Sequence, residues 1–512
     1  GNVGMMTFGL NAAIADNDAR NLANIVGNGF LTASTMLDLC AYGKATAEAE
    51  IHGIDFSGIK IVASFAAAVL RSRQEAVLYG SHVTAGGVAA KSYLSSEEAS
   101  ANAASAKLNI GCGILALVSA PVNVAIAYGR SASIAGIAPN SIAITGGKVD
   151  IRSDGHANAL AEVKNQSNVN LLAAGLNAAF AYQQARFDAY LVIPNDESVE
   201  TEGTVGDVDV KVSYTSRAKA ELTPSEGGVE FSYYANIKVN VAVAGNSTAA
   251  NAYIAGAGAI AANKVTVSAI GEAYADATVY KPIVSGGMAN VAANAMAALL
   301  SATQKAYIQS ITIRGTSASV TSELNKDKGK GASATLGSNG GNASASLAGV
   351  NSKANIAVAI ADATGSAKVI SANLILTGAL TVNSKGDSYA KAVVNGDDFT
   401  GGAVGIGVNE LYAYAKGGFN ATAGGNISAS SITIDSNYKV NANAVSAQPN
   451  GGAKLELATI QGNIAYAETD ASSTAGIDGA GTIATGALSA TANATANGSL
   501  RSGRATRRST TS

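Results

Sequence analysis

Residues 239–244 read VNVAVA, and near-copies of this phrase recur along the 512-residue chain. They surround Asn11 (LNAAIA), Asn123 (VNVAIA), Asn177 (LNAAFA), Asn294 (ANAMAA), Asn355 (ANIAVA), Asn409 (VNELYA) and Asn463 (GNIAYA). From Asn123 onward the steps, with Asn240 in place, are 54, 63, 54, 61, 54 and 54 residues. A period held over most of a chain marks a repeat array, in which each unit buries its apolar face on the next. A weaker copy near Phe65–Leu70 fills the gap between Asn11 and Asn123.

Other positions keep step with the asparagine. Fourteen residues after it stands Ile25, Leu191, Ile254, Ile308, Val369 or Ile477. From about twenty-five residues after it, alternating segments such as VTVSAIGEAYADA (265–277) and LTVNSKGDSYAKA (380–392) follow. Apolar residues recur at every second place, with Val, Ile and Thr in the phrases and Gly or Asn between them. That pattern predicts strands, although isolated Ala favours helix. One exception is SSEEASANAASAKL (95–108), where Ser95 and Glu98 could form a capping box and start a short helix.

The reading is therefore all-β: a parallel β-helix of about nine imperfect repeats of roughly 54–63 residues over 1–500, with a basic tail over 501–512. With coils of about 18–25 residues and about 4.8 Å between strands, each repeat would hold two or three coils. The rod would then have about 20–25 coils and be on the order of 100–120 Å long. In VNVAVA, Val239, Val241 and Val243 share one face and are expected in the core. Asn240, Ala242 and Ala244 share the other, a small flat face expected to be covered by a folded-over layer of the same chain or by a neighbouring rod. Ala125, Ala127, Ala357 and Ala359 fall on the same face and complete a candidate lateral contact. With one Asn per repeat and several coils per repeat, a continuous amide ladder is not expected. Asn as a bulge or corner former is. In the segment from 265, by contrast, Thr266 and Ser268 oppose Val265 and Val267, an ordinary polar-out strand.

The two long steps contain charged insertions, which are candidate protruding loops. One is PNDESVETEG (194–203) with Asp196, Glu197, Glu200 and Glu202; the other is NKDKGKG (325–331) with Lys326, Lys328 and Lys330.

Bulk composition narrows the function. Charged residues are 14%, aromatics 5%, Trp is absent, and the net charge is −2. Such a chain lacks the basic surface that nucleic acid requires. The exception is the tail, with Arg501, Arg504, Arg507 and Arg508, whose polarity reads as a disordered or linker segment. No apolar run is long and unbroken enough for a transmembrane helix. Cys40 and Cys112 are too few for a disulfide framework and are expected to be buried or paired. The three histidines, His52, His82 and His156, stand at no metal-ligand spacing. No catalytic, cofactor-binding or metal residue is assigned. The sequon Asn246-Ser247-Thr248 is of a kind expected by chance in a chain rich in these residues.

The phrases VNVAVAGNSTAANAYIAGAGAI (239–260), LNAAFAYQQARFDAYL (176–191) and KVTVSAIGEAYADATV (264–279) resemble the repeat region of very large bacterial filamentous adhesins, the leukotoxin-family and filamentous-haemagglutinin-like group. The resemblance covers most of residues 1–498. It implies export, a rigid rod at the cell surface or in the medium, and adhesion or cell–cell contact, and it transfers no catalytic residues. Expected partners are other rods, by lateral or end-to-end association, or ligands on host or neighbouring cells. A subunit of a self-assembling extracellular filament or sheath is the alternative, and a polysaccharide-active β-helix enzyme a remote one.

Overall fold

A computed structural model describes residues 3–502 except 96–101, 113–115, 166–167, 195–197, 200–205, 225–228, 282–283, 327–328, 339–344, 396–398 and 448–452. Among the described residues the chain is a single parallel sheet of 21 strands, wound as a solenoid. Of the segment expected to be a capped helix, residues 96–101, with Glu98 of the capping box, lie outside the described residues, and the remainder belongs to a strand, Asn102–Cys112, with Ala104, Ala106 and Leu108 turned inward. Alternation of period two places those three residues on one side only if the segment is extended.

One repeat is one coil. Residue Leu10 pairs with Ala63, Ala63 with Val122, Val122 with Leu176 and Leu176 with Val239, each in parallel register. The register continues through Ala293, Ala354, Val408 and Gly462. Nine coils are thus stacked. At about 4.8 Å per coil the stack rises on the order of 40 Å, which replaces the taller rod of shorter coils. Ser64 occupies the asparagine position in the second coil, between Asn11 and Asn123.

Each coil is flattened into two arms. An arm that carries the asparagine, such as Ala116–Ala138, turns into a return arm such as Val149–Asn165. Buried serines join the arms across the interior. Ser153 Oγ donates to Ser133 Oγ at 3.0 Å, and Ser133 Oγ donates to Ser92 Oγ on the return arm of the preceding coil at 2.9 Å. Ser473, Ser436 and the Phe419 carbonyl repeat the arrangement near the other end.

This geometry reverses the expected orientation of the asparagine phrase. Ala242 and Ala244 are fully buried, whereas Val239 is 39% exposed. The same holds at Ala125, Ala127, Ala357 and Ala359, all core residues, so no lateral contact face is made of them. Of the two coverings considered for this face, the return arm of the same chain supplies it. Small inner side chains let two arms face each other closely, while outer Val and Ile residues pack along the coil direction as β-branched ladders.

The positions fourteen residues after the asparagine form one inner column, in which Leu78, Ile137, Leu191, Ile254 and Ile308 are fully buried. Val265 and Val267 are likewise buried, with Thr266 turned outward. Ser268, read from the sequence as polar and outward, is buried.

Cys40 is an exposed free thiol, contrary to the expectation of burial or pairing. Asp196, Glu197, Glu200, Glu202 and Lys328 lie outside the described residues, as does the tail beyond Ser502. Arg501 and Ser502 end the last strand, Ile483–Ser502. Lys326 is exposed and pairs with Glu323 at 3.2 Å. Lys330 folds back onto the sheet, against Glu272 and over the Tyr274 ring at 4.6 Å, and does not project.

Candidate binding surface

The asparagines lie mid-strand and point inward, where they form a ladder. Asn123 Nδ2 donates to Asn177 Oδ1 at 3.0 Å, and Asn177 to Asn240 at 3.0 Å. Asn240 donates to Asn294 at 2.8 Å, Asn294 to Asn355, Asn355 to Asn409, and Asn409 to Asn463, these last three at 2.7 Å. Because coil and repeat have one length, one amide per repeat is one amide per coil, and the ladder that the shorter coil forbade becomes continuous. Every donor points the same way, so the amide dipoles reinforce one another. Four residues upstream a shorter rung joins Asn290 to Asn351 at 3.3 Å.

The ladder fixes register, and register builds the outer face. Above the first half of the asparagine arm that face is apolar: Val122, Leu176, Val239 and Val408 are exposed in one column. Phe180 and Tyr466 belong to a column four residues further along. Tyr128 stacks on Tyr182 at 5.6 Å, and Tyr412 on Tyr466 at 5.2 Å. Exposed apolar side chains thus recur over several coils of this face, a more ordered pattern than single scattered residues.

Above the second half of the same arm the chemistry changes. Nine residues after the ladder position stand Arg20, Arg73 and Arg186; seven after it stand Arg71 and Arg130. Thirteen after it, Tyr190, Tyr253 and Tyr307 follow one another in register, continued by Lys368. The Tyr253 and Tyr307 rings are 4.9 Å apart and 1° from parallel, and Tyr190 stacks on Tyr253 at 5.5 Å. Tyr190 leans over Gly136, whose missing side chain makes room: a Cβ there would lie 2.1 Å from the ring. Burial, then the neighbouring Tyr253, pushes the hydroxyls of Tyr190 and Tyr307 up to about 12, so both remain protonated donors near neutrality.

Beside the tyrosines Asp188 is almost fully buried, paired with Arg186 and accepting from Asn251 Nδ2 at 2.8 Å. Arg73 pairs with Glu75 at 2.6 Å. A cavity of about 620 Å³ lies along these side chains, and a second of about 470 Å³, around Arg20, Arg71 and Arg130, shares Arg73, Ile134 and Arg186 with it. Sequence reading did not identify this groove. Its signal was present: Tyr190, Tyr253 and Tyr307 recur thirteen residues after successive asparagines, but the recurrence means adjacency only if one repeat is one coil.

Three sequence features gain structural context. Asn246 of the sequon is buried, donating to the Ser216 and Tyr274 carbonyls at 2.8 and 3.0 Å, and is unavailable for glycosylation in the folded chain. His82 stacks on Phe30 at 4.8 Å and shares a hydrogen bond with Ser141. Among the described residues, no three or more His, Cys, Asp or Glu side chains gather as a metal cage, and no helix is long and apolar enough to cross a membrane. The chain matches no protein-family model, no curated protein and no solved structure, so the reading of this surface rests on its own chemistry.

Proposed function

We propose that this chain is a structural segment of an adhesive rod, exported to a bacterial cell surface or secreted, that makes contact with other cells or surfaces. The observation that carries the reading is the inward amide ladder beneath an outward apolar face. The ladder runs without interruption from Asn123 to Asn463 and locks coil to coil. Such a scaffold holds a column like Val122, Leu176, Val239 and Val408 at fixed spacing. A rigid array of repeated contacts gains avidity from geometry alone. The likeness of the repeats to filamentous adhesins supports the same reading.

Antibody labelling of intact source cells tests it, alongside adhesion of beads coated with the chain. Surface labelling is expected, together with bead adhesion that falls when Val122, Leu176, Val239 and Val408 are changed to Ser. Label reached only after permeabilisation, or adhesion unchanged in that folded variant, would overturn the reading.

A second reading is a filament built of stacked copies, and it is favoured by the direction of the ladder. Each amide from Asn123 to Asn409 donates to the following coil, and a copy stacked head to tail would continue that sense. Electron microscopy of concentrated protein separates the two: discrete particles support the rod, and fibres of indefinite length the filament.

A further inference from the structure

We propose that the groove along Tyr190, Tyr253 and Tyr307 binds a linear acidic polysaccharide, a chain of uronate sugars laid across successive coils. Three features argue for that ligand class.

The first is cationic charge without matching acid. Among the described residues Lys305 and Lys368, which line the groove, make no ion pair, nor does Arg130 in the adjoining cavity. Lys305 is one coil from Asn251, and Lys368 one coil from Tyr307. Lys305 and Lys368 thus stand on successive coils, about 5 Å apart along the stack and two residues apart along the strand, and two cations so placed suit a polymer that carries a charge on each unit.

The second is the orientation of the aromatic rings. Tyr253 is sandwiched between Tyr190 and Tyr307, so both its faces are occupied and its hydroxyl edge lines the groove. Single-stranded nucleic acid is held by bases stacked on free aromatic faces, which the centre of this row does not offer. A hydroxyl-rich polymer is held by hydrogen bonds, which the row does offer.

The third is the acid within the groove. Glu75, held by Arg73, and Asn251, held on the buried Asp188, offer acceptors to sugar hydroxyls. The groove combines donors for carboxylates with donors and acceptors for hydroxyls, which is the chemistry of a uronate chain.

The inference deepens the adhesive reading, on which its biological use rests, but binding is measured on the isolated chain and location on intact cells, so the two can fail separately. The probe is an alginate oligosaccharide, titrated calorimetrically against the full chain. Saturable binding is expected that weakens as salt rises. Lys305→Gln with Lys368→Gln is expected to weaken it at least tenfold, and Tyr253→Phe severalfold, with thermal melting preserved. Neutral dextran is expected not to bind. Absence of alginate binding would overturn the proposal. So would equal binding of dextran, tighter binding of a single-stranded oligonucleotide, or full affinity in the folded double-lysine variant. Binding of heparin that Tyr253→Phe leaves unchanged, with alginate equally unchanged, would reduce the groove to simple ion exchange and also overturn it.

Discussion

Asn294 Nδ2 donates to Asn355 Oδ1 at 2.7 Å across 61 residues of chain, and both side chains are buried. That contact exists because the intervening residues complete one turn of the solenoid. A buried amide in such a row is stabilising chiefly because its neighbours have no other partner. Removing Asn294 would leave the Asn240 donor and the Asn355 acceptor unmet. Asn294→Ala should therefore cost about 2–4 kcal/mol, from two unsatisfied groups at about 1–2 kcal/mol each. Asn463→Ala, at the end of the ladder, should cost about half as much. Equilibrium denaturant melts of the two variants check this; equal losses would contradict a continuous ladder.

Ala242 and Val239 give a paired test of which face is inside. Ala242→Glu places a carboxylate between the two arms and should lower stability by on the order of 4 kcal/mol or more. Val239→Glu places it in the exposed outer column and should change stability by less than about 1 kcal/mol. Thermal melting of both variants decides the matter. The opposite ranking would restore the valines to the core.

The period, the strand type and the inner column at Leu191, Ile254 and Ile308 were legible in the sequence because each depends on local alternation or on spacing alone. The insertion at 325–331 was legible for the same reason, and it separates the strands Thr312–Leu324 and Gly331–Ser338. The sense of the asparagine phrase was not. Alternation distinguishes two faces without saying which is inside, and the rule that large residues go inward fails where two arms approach closely enough to require Ala. Coil length was misjudged because turn signals within a repeat do not distinguish a corner from a gentle bend. That one error hid both the amide ladder and the groove, since Arg73, Arg186, Lys305 and Lys368 become neighbours only when the repeat and the coil coincide.

Asp154 supplies a test by pH. Burial, partly offset by Arg152, pushes its carboxyl up to about 6 from an ordinary 3.8. A raised carboxyl favours the protonated form in the fold. Its contribution is thus fully present below the unfolded value near 4, and it is lost as pH rises through about 6. At pH 8 the ionised side chain should cost up to about 2 kcal/mol after solvent screening. Asp154→Asn should therefore stabilise the protein at pH 8 and make little difference at pH 4. Thermal melts at the two pH values check this, and an equal gain at both would contradict the assignment.

One distance decides whether each repeat is a single coil. Val122 and Val408 are both exposed and stand in the same outer column, five coil steps apart. Spin labels at Val122→Cys and Val408→Cys, with Cys40 and Cys112 changed to Ala, report that separation by pulsed electron paramagnetic resonance. One coil per repeat predicts a backbone separation of about 24 Å, broadened by the label linkers. Two or three coils per repeat would give about 50–70 Å, and a distribution centred there would rule out the single coil.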